Sequence, residues 1–182
     1  MLCGGRSRRM GADKALLLID GVAMARRVAE ALRGAGAGHV VAIGGDAVAL
    51  ADLGLDVVAD EWPGEGPLGG IVTALGTSTD EVEVVSVLAC DLQWPSPASI
   101  VALVDAVVAD DSVDVAVPLL DGHRQFDQLA IRQRQAFRLR NAFAAGARSI
   151  REALDDLVVA EVDGLAPASL RDADTPSDLR LR

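Results

Sequence analysis

Short β-branched runs alternate along this chain with Ala-rich stretches of helical spacing, and that alternation confines it to architectures built from strand and helix units around a sheet. Two runs carry most of the weight. Residues 82–89 (VEVVSVLA) and 113–118 (VDVAVP) are apolar on neighbouring positions, as in a strand covered by helices on both faces. Both are expected at the centre of the sheet. Further strands are expected at 39–43, 56–59, 128–132 and 157–162. Helices are expected at 22–34, 46–53, 68–77, 97–109, 134–145, 149–154 and 176–181. In the first of these, Val22, Ala25, Val28, Ala29 and Leu32 share one face, with Arg26, Arg27, Glu30 and Arg33 largely opposite, so it reads as a cover for the sheet.

The Gly and Pro clusters at 34–38, 63–70 and 95–97 are short enough to be loops, and no internal repeat interrupts the pattern. The expected fold is therefore α/β: a single-domain, three-layer Rossmann-like arrangement over residues 1–182 with a mostly parallel central sheet. Composition agrees, because 51% hydrophobic residues with 3% aromatic supply an aliphatic core of one domain's size. A formal charge of -10 argues against a general nucleic-acid or anionic-membrane surface, so an anionic ligand has to meet a local cationic patch. Cys3 and Cys90 are the only cysteines and make no CxxC pair. Neither a disulfide framework nor a zinc site follows, and a reducing cytoplasm is expected. Every apolar stretch is broken before about 18 residues, so neither a membrane span nor a secretion signal is expected.

Of 17 basic residues, a single one is lysine, Lys14, and it lies just beyond a glycine pair. A compact ammonium suits a phosphate oxygen as a point charge. In the surrounding stretch LCGGRSRRMGADK, three glycines allow close backbone approach, while Arg6, Arg8, Arg9 and Lys14 face only Asp13 in charge. That is an anion cradle. It is not a P-loop, since Ala15 follows Lys14, nor the GxGxxG of dinucleotide sites. A phosphate loop of this kind normally follows a buried strand, and here only Met1 and Leu2 precede it, so several further apolar residues are expected upstream. Asp91 stands just past a strongly apolar strand, at the edge where open α/β sheets bind ligands.

The stretch resembles the signature of the molybdenum cofactor guanylyltransferase (MobA-like) family, in which a strand ending in Leu-Ala-Gly-Gly runs into Arg-Met-Gly and then a lysine. Three more segments fit the family in the same order: 60–71 (DEWPGEGPLGGI), 88–91 (LACD) and 172–179 (DADTPSDL). The resemblance implies a nucleotidyltransferase fold and transfer of GMP from GTP to the phosphate of molybdopterin, with Mg²⁺ and loss of pyrophosphate. It implies that Leu2, Cys3, Gly4 and Gly5 contact the nucleotide and that Lys14, with Arg9, serves its phosphates. Asp60, Gly66, Pro67 and Leu68 would complete the pocket, and Asp91 and Asp174 would hold the metal. GTP and molybdopterin would be the partners, with proteins that deliver molybdopterin as further contacts, and the chain a monomer or weak oligomer. A cytidylyl- or other nucleotidyltransferase, or a non-catalytic nucleotide-binding relative, is the alternative.

Some residues have plainer readings. Asp174-Thr175-Pro176 reads first as a helix boundary, capping alone being sufficient. His39 and His123 read as structural or solvated, and Trp62 and Trp94 as covers on the core. The chain departs from the family pattern at Cys3, Gln93 and Gln128, the last two toward the pterin end of the site. If the first strand and that of Asp91 are neighbours, Cys3 and Cys90 lie together beside the site.

Overall fold

The computed structural model describes residues 1–4, 13–79 and 81–173. A short hairpin of β1 (Leu18–Ile19) and β2 (Val22–Ala23) leads into α1 (Met24–Gly34), β3 (Val41–Ile43), α2 (Ala47–Asp52), β4 (Asp56–Val58) and α3 (Pro67–Thr77). Then come β5 (Val84–Leu88), α4 (Pro97–Val108), β6 (Val115–Leu120), β7 (His123–Arg124), β8 (Gln128–Arg132), α5 (Ala136–Ala144), α6 (Ile150–Leu154) and β9 (Val159–Val162).

The expected elements are present with small shifts. The first helix starts at Met24 rather than Val22, because Asp20 and Gly21 both take positive φ (52° and 78°). Asp-Gly favours that two-residue hairpin turn, and it draws Val22 and Ala23 into β2. Helix starts elsewhere follow sequence chemistry: Ser96 caps α4 ahead of Pro97, and Ser149 with Glu152 forms a capping box on α6. The helix expected at 176–181 lies outside the described residues.

The sheet runs β4, β3, the stub at Leu2, β5, β8, β6, β9. Leu2 bridges Ile43 and Ala89 in parallel, β3 pairs with β4 in parallel, and β6 pairs with β9 in parallel. The sheet is mostly parallel, as expected, and β8, antiparallel to both β5 and β6, makes it mixed. The cause is connection length. Between β6 and β8 lie only seven residues (121–127), enough for the small β7 excursion but not for the helix that a parallel return requires. Strands β5 and β6 are central, as expected.

Helices cover both faces. Val87, Val117 and Ile131 pack with Leu68, Ile71 and Leu139 on the side of α3, α5 and α6. Ala116 and Ala130 meet Leu103 and Val107 of α4 on the other side. Alternate strand residues thus feed opposite layers, which explains the unbroken apolar runs. Far from the carboxyl edge, Arg132 is 3% exposed and donates to Val113 O and Val107 O at 2.8 and 2.6 Å while its Nη1 meets Glu83 at 2.6 Å. It fastens the ends of α4, β6 and β8 together.

Candidate active site

The carboxyl ends of β3, β4 and β5, with the stub at Leu2, open on a pocket of about 490 Å³. Parallel strands point their last residues at the same edge, so chain segments distant in sequence meet there. Leu2 N-H donates to Leu88 O (2.8 Å), Cys3 N-H to Ile43 O (2.9 Å), and Cys90 N-H to Leu2 O (3.1 Å). These bonds lay Leu2, Cys3 and Gly4 between the two strand ends. Gly4 has little room for a side chain: a Cβ there would come within 3.3 Å of Asp60 Oδ2, and one on Gly44 (φ 70°) would reach Gly4 Cα at 3.0 Å.

Lys14 opens a 3-10 turn capped by Asp13, whose carboxylate accepts from Ala15 N-H at 3.0 Å. The turn packs against α1 and aims the Lys14 ammonium at Asp91, with Nζ 2.8 Å from Oδ2 and both side chains less than one-fifth exposed. The two residues are 77 positions apart. Asp60 is held by its neighbours: Thr73, fully buried in α3, places its hydroxyl 3.2 Å from Oδ1, and Trp62 N-H donates to the same oxygen at 3.0 Å. Gly66 (φ 92°) ends the loop that follows and starts α3 with Pro67 at its first turn and no side-chain cap. The first N-H groups of α3 therefore lack a side-chain acceptor beside the pocket, where an anion fits.

Of the residues singled out in the sequence, Leu2, Cys3, Gly4, Lys14, Asp60, Gly66, Pro67 and Asp91 all line this pocket. Leu68 does not: it is 1% exposed and packs with Ile71 and Val72 in the core, because the α3 register turns the residue after Pro67 inward. Gly5, Arg9 and Asp174 lie outside the described residues. The segment leading to Asp174 nevertheless docks on the strand end of Asp91: Ala173 N-H donates to Asp91 O at 3.0 Å, and Leu92 bridges Asp172. Gln93 is the fastener. Its N-H donates to Arg171 O (3.0 Å) and its side-chain amide to Asp172 O (2.7 Å), the first of which a proline there would forfeit.

Asp127 also lines the pocket and was not among the expected site residues. Its position follows from the antiparallel course of β8, which brings the start of that strand to the carboxyl edge of its neighbours; an all-parallel reading sends it to the other edge. The shared edge also unites Cys3 and Cys90, as expected of neighbouring strands. Their thiols hydrogen-bond each other, which holds the Cys90 proton well above the ordinary thiol range, burial adding to the effect, and lowers Cys3. His39 meets Asp56 at an exposed position, and His123 is exposed on β7, so neither reaches the pocket. Trp94 lies under Arg27 (4.4 Å) and Trp62 against Phe143 (5.1 Å).

Among the described lining residues, four carboxylates (Asp13, Asp60, Asp91 and Asp127) face one ammonium. Such a set suits a phosphate ester only together with a hard cation. Among the described residues no three His, Cys, Asp or Glu groups are close enough to cage a metal ion by themselves. Magnesium takes one or two carboxylates and completes its shell with water and phosphate oxygens, so the donor set fits that ion.

Comparison with known proteins agrees with this fold. The family model for the MobA-like NTP transferase domain matches residues 1–161. A protein of Methanothermobacter thermautotrophicus that bears the name "Probable molybdenum cofactor guanylyltransferase" is 35% identical over 65% of this chain, a stretch that spans 62% of that protein. A protein of the same name from Chloroflexus aggregans is 32% identical over 100% of this chain and 90% of its own length. Among solved structures, molybdopterin-guanine dinucleotide biosynthesis protein A of Archaeoglobus fulgidus superposes with a TM-score of 0.76 at 22% identity, covering 98% of this chain and 93% of that one. A Mycobacterium tuberculosis protein crystallised with manganese superposes with a TM-score of 0.71 at 19% identity, covering 98% of this chain and 93% of that one.

Proposed function

The chain belongs to the MobA-like NTP transferase family, and from that premise we propose that it transfers GMP from GTP to the terminal phosphate of molybdopterin, releasing pyrophosphate. The observation that carries the reading is the 2.8 Å approach of Lys14 to Asp91 at the carboxyl edge of the sheet. In this reaction the molybdopterin phosphate attacks the α-phosphorus of GTP in line with the departing pyrophosphate, on which negative charge accumulates. Such displacement needs positioning and charge neutralisation more than a base.

Each part of the pocket has a task in that scheme. Leu2, Cys3 and Gly4 approach the nucleotide along their backbone, where Gly4 leaves room. Lys14 moves from its carboxylate partner to the triphosphate, and its charge follows the leaving group. Gly66, Pro67 and the open N-terminus of α3 close on the nucleotide from the far side, with Asp60 fixed beside them by Thr73. Arg9 and Gly5, from the same glycine- and arginine-rich sequence stretch, assist the phosphates. Asp91, aided by Asp174, would hold Mg²⁺, which would supply charge neutralisation to the phosphate oxygens. Asp127, which also lines the pocket, faces the second substrate in this scheme. The preference for guanine rests on the GPLGG sequence at 66–70, where α3 begins, and on the names of the relatives.

Thermal shifts with GTP, CTP, ATP and UTP in Mg²⁺, followed by pyrophosphate release from GTP with molybdopterin, test the proposal. At a hundredfold excess over the dissociation constant the favoured nucleotide stabilises by about 2.7 kcal/mol. Preferential stabilisation by CTP would transfer the chain to cytidylyl chemistry; GTP binding without pyrophosphate release would make it a non-catalytic relative.

A further inference from the structure

The sulfurs of Cys3 and Cys90 have no task in the transfer scheme, yet both residues line its pocket. Sheet register brings them there. Leu2 pairs with Ala89 in parallel, donating its N-H to Leu88 O while its own carbonyl accepts from Cys90 N-H. One step farther along the same two strands Cys3 stands opposite Cys90, and the side chains of opposed residues leave a sheet on the same face. The two thiols meet and hydrogen-bond each other.

Both cysteines are buried and share an apolar cluster with Ala15, Leu88 and Leu92. Ala15 follows Lys14 and Cys90 precedes Asp91, so the sulfurs pack beside the turn and the strand end that carry the ion pair. A single buried cysteine is a small apolar residue and carries no chemistry by itself. Two in register at the wall of an open pocket are a dithiol that a small reagent reaches through that pocket.

We infer that Cys3 and Cys90 are a modification site, which hydrogen peroxide closes into a reversible disulfide that distorts the nucleotide wall of the pocket. One sulfur attacks a peroxide oxygen, the O–O bond breaks, and a sulfenic acid and one water result. The other sulfur then attacks the sulfenic sulfur, the S–O bond breaks, and a second water leaves with the remaining thiol hydrogen. The two sulfurs are oxidised and the peroxide is reduced; a dithiol reverses the link by exchange. Opposed strands lie about 4.8 Å apart, whereas a disulfide draws its Cβ atoms to about 3.8 Å, so the link pulls Cys3 toward Cys90 by roughly 1 Å. That direction is away from β3, whose Ile43 O accepts from both Cys3 N-H and Gly4 N-H. The effect on turnover rests on the proposed function, in which residues 2–4 approach the nucleotide.

The test treats the protein briefly with hydrogen peroxide and compares it with Cys3→Ala and Cys90→Ala, each read against its own untreated sample. The parent is expected to lose two hydrogens in intact mass, and its non-reduced peptide map to join Cys3 to Cys90 within one chain. Because the link closes a loop of roughly ninety residues, Tm is expected to rise by at least about 4 °C. Pyrophosphate release is expected to fall at least about tenfold, since a misplacement of about 1 Å is costly in rate, and dithiothreitol is expected to restore it. Bound GTP with Mg²⁺ is expected to slow the linking. Neither variant is expected to gain Tm or to lose more than about twofold in turnover on treatment. Absence of the link, a link only between chains, or inhibition as deep in Cys90→Ala as in the parent overturns the proposal. The link and the Tm gain are read without substrates, so a linked, stabilised protein whose reduced form releases no pyrophosphate overturns the transfer reading instead.

Discussion

Replacing Lys14 by methionine keeps most of the side chain's volume and removes its charge from a site where Asp91 lies 2.8 Å away. At an effective dielectric of 20, the Coulomb attraction at that distance is about 6 kcal/mol, most of it offset by desolvation of two groups that are only 19% and 18% exposed. The pair therefore acts less as a staple than as a switch on what Asp91 can bind. On the proposed function, Lys14 in the nucleotide-free protein would compete with a divalent ion for the Asp91 carboxylate and repel it. Lys14→Met is then expected to tighten Mn²⁺ binding to the nucleotide-free protein by at least about tenfold, or about 1.4 kcal/mol, measured by electron paramagnetic resonance titration. In turnover the sign reverses: loss of a preorganised cation facing the leaving phosphates is expected to lower pyrophosphate release about 10²- to 10³-fold, about 2.7–4 kcal/mol of transition-state stabilisation. Lys14→Arg restores the charge but not the point geometry and is expected to recover only part of the rate. Weaker Mn²⁺ binding in Lys14→Met, or turnover within about threefold of the parent, refutes the assignment of Lys14 and Asp91 to one phosphate and metal centre.

The remaining predictions concern the frame around that pair. Gly66→Ala places a Cβ 2.9 Å from Arg148 O at φ 92° and is expected to cost about 1–3 kcal/mol in urea unfolding, with a rise in KM for the nucleotide larger than any fall in kcat; an unchanged KM would remove the α3 loop from the pocket. Arg132→Met leaves the carbonyls of Val113 and Val107 without their donor and is expected to cost at least about 2 kcal/mol of stability, yet to leave kcat unchanged at temperatures where the variant is folded. In the 182-residue chain the Met1 amine has its pKa lowered by burial from 8.0, so between that lowered value and 8.0 the unfolded state binds more protons than the folded one. Stability against urea is therefore expected to rise with pH across that window and level off above 8.0, and the slope is expected to vanish once the amine is part of a peptide bond.

Local patterns in the sequence specified which segments become strands and helices, because alternating burial, Ser and Pro caps and glycine-rich loops act over a few residues. They also marked the chemistry. Lys14 stood out as the single lysine, Asp91 as a carboxylate at a strand end, and both proved to share a pocket with Gly4, Asp60 and Gly66. Pairing direction was settled by the tertiary structure, since it depends on how a connection closes in space: the seven residues before β8 admit no crossover helix, and that reversal alone carries Asp127 to the site. The fate of Leu68, buried one residue beyond Pro67 of the pocket wall, depended on the rotation of α3 against the sheet. The task of Gln93 in fastening Arg171 and Asp172 was equally hidden, because its partners lie nearly eighty positions away and only the closed sheet edge brings them within 3.0 Å.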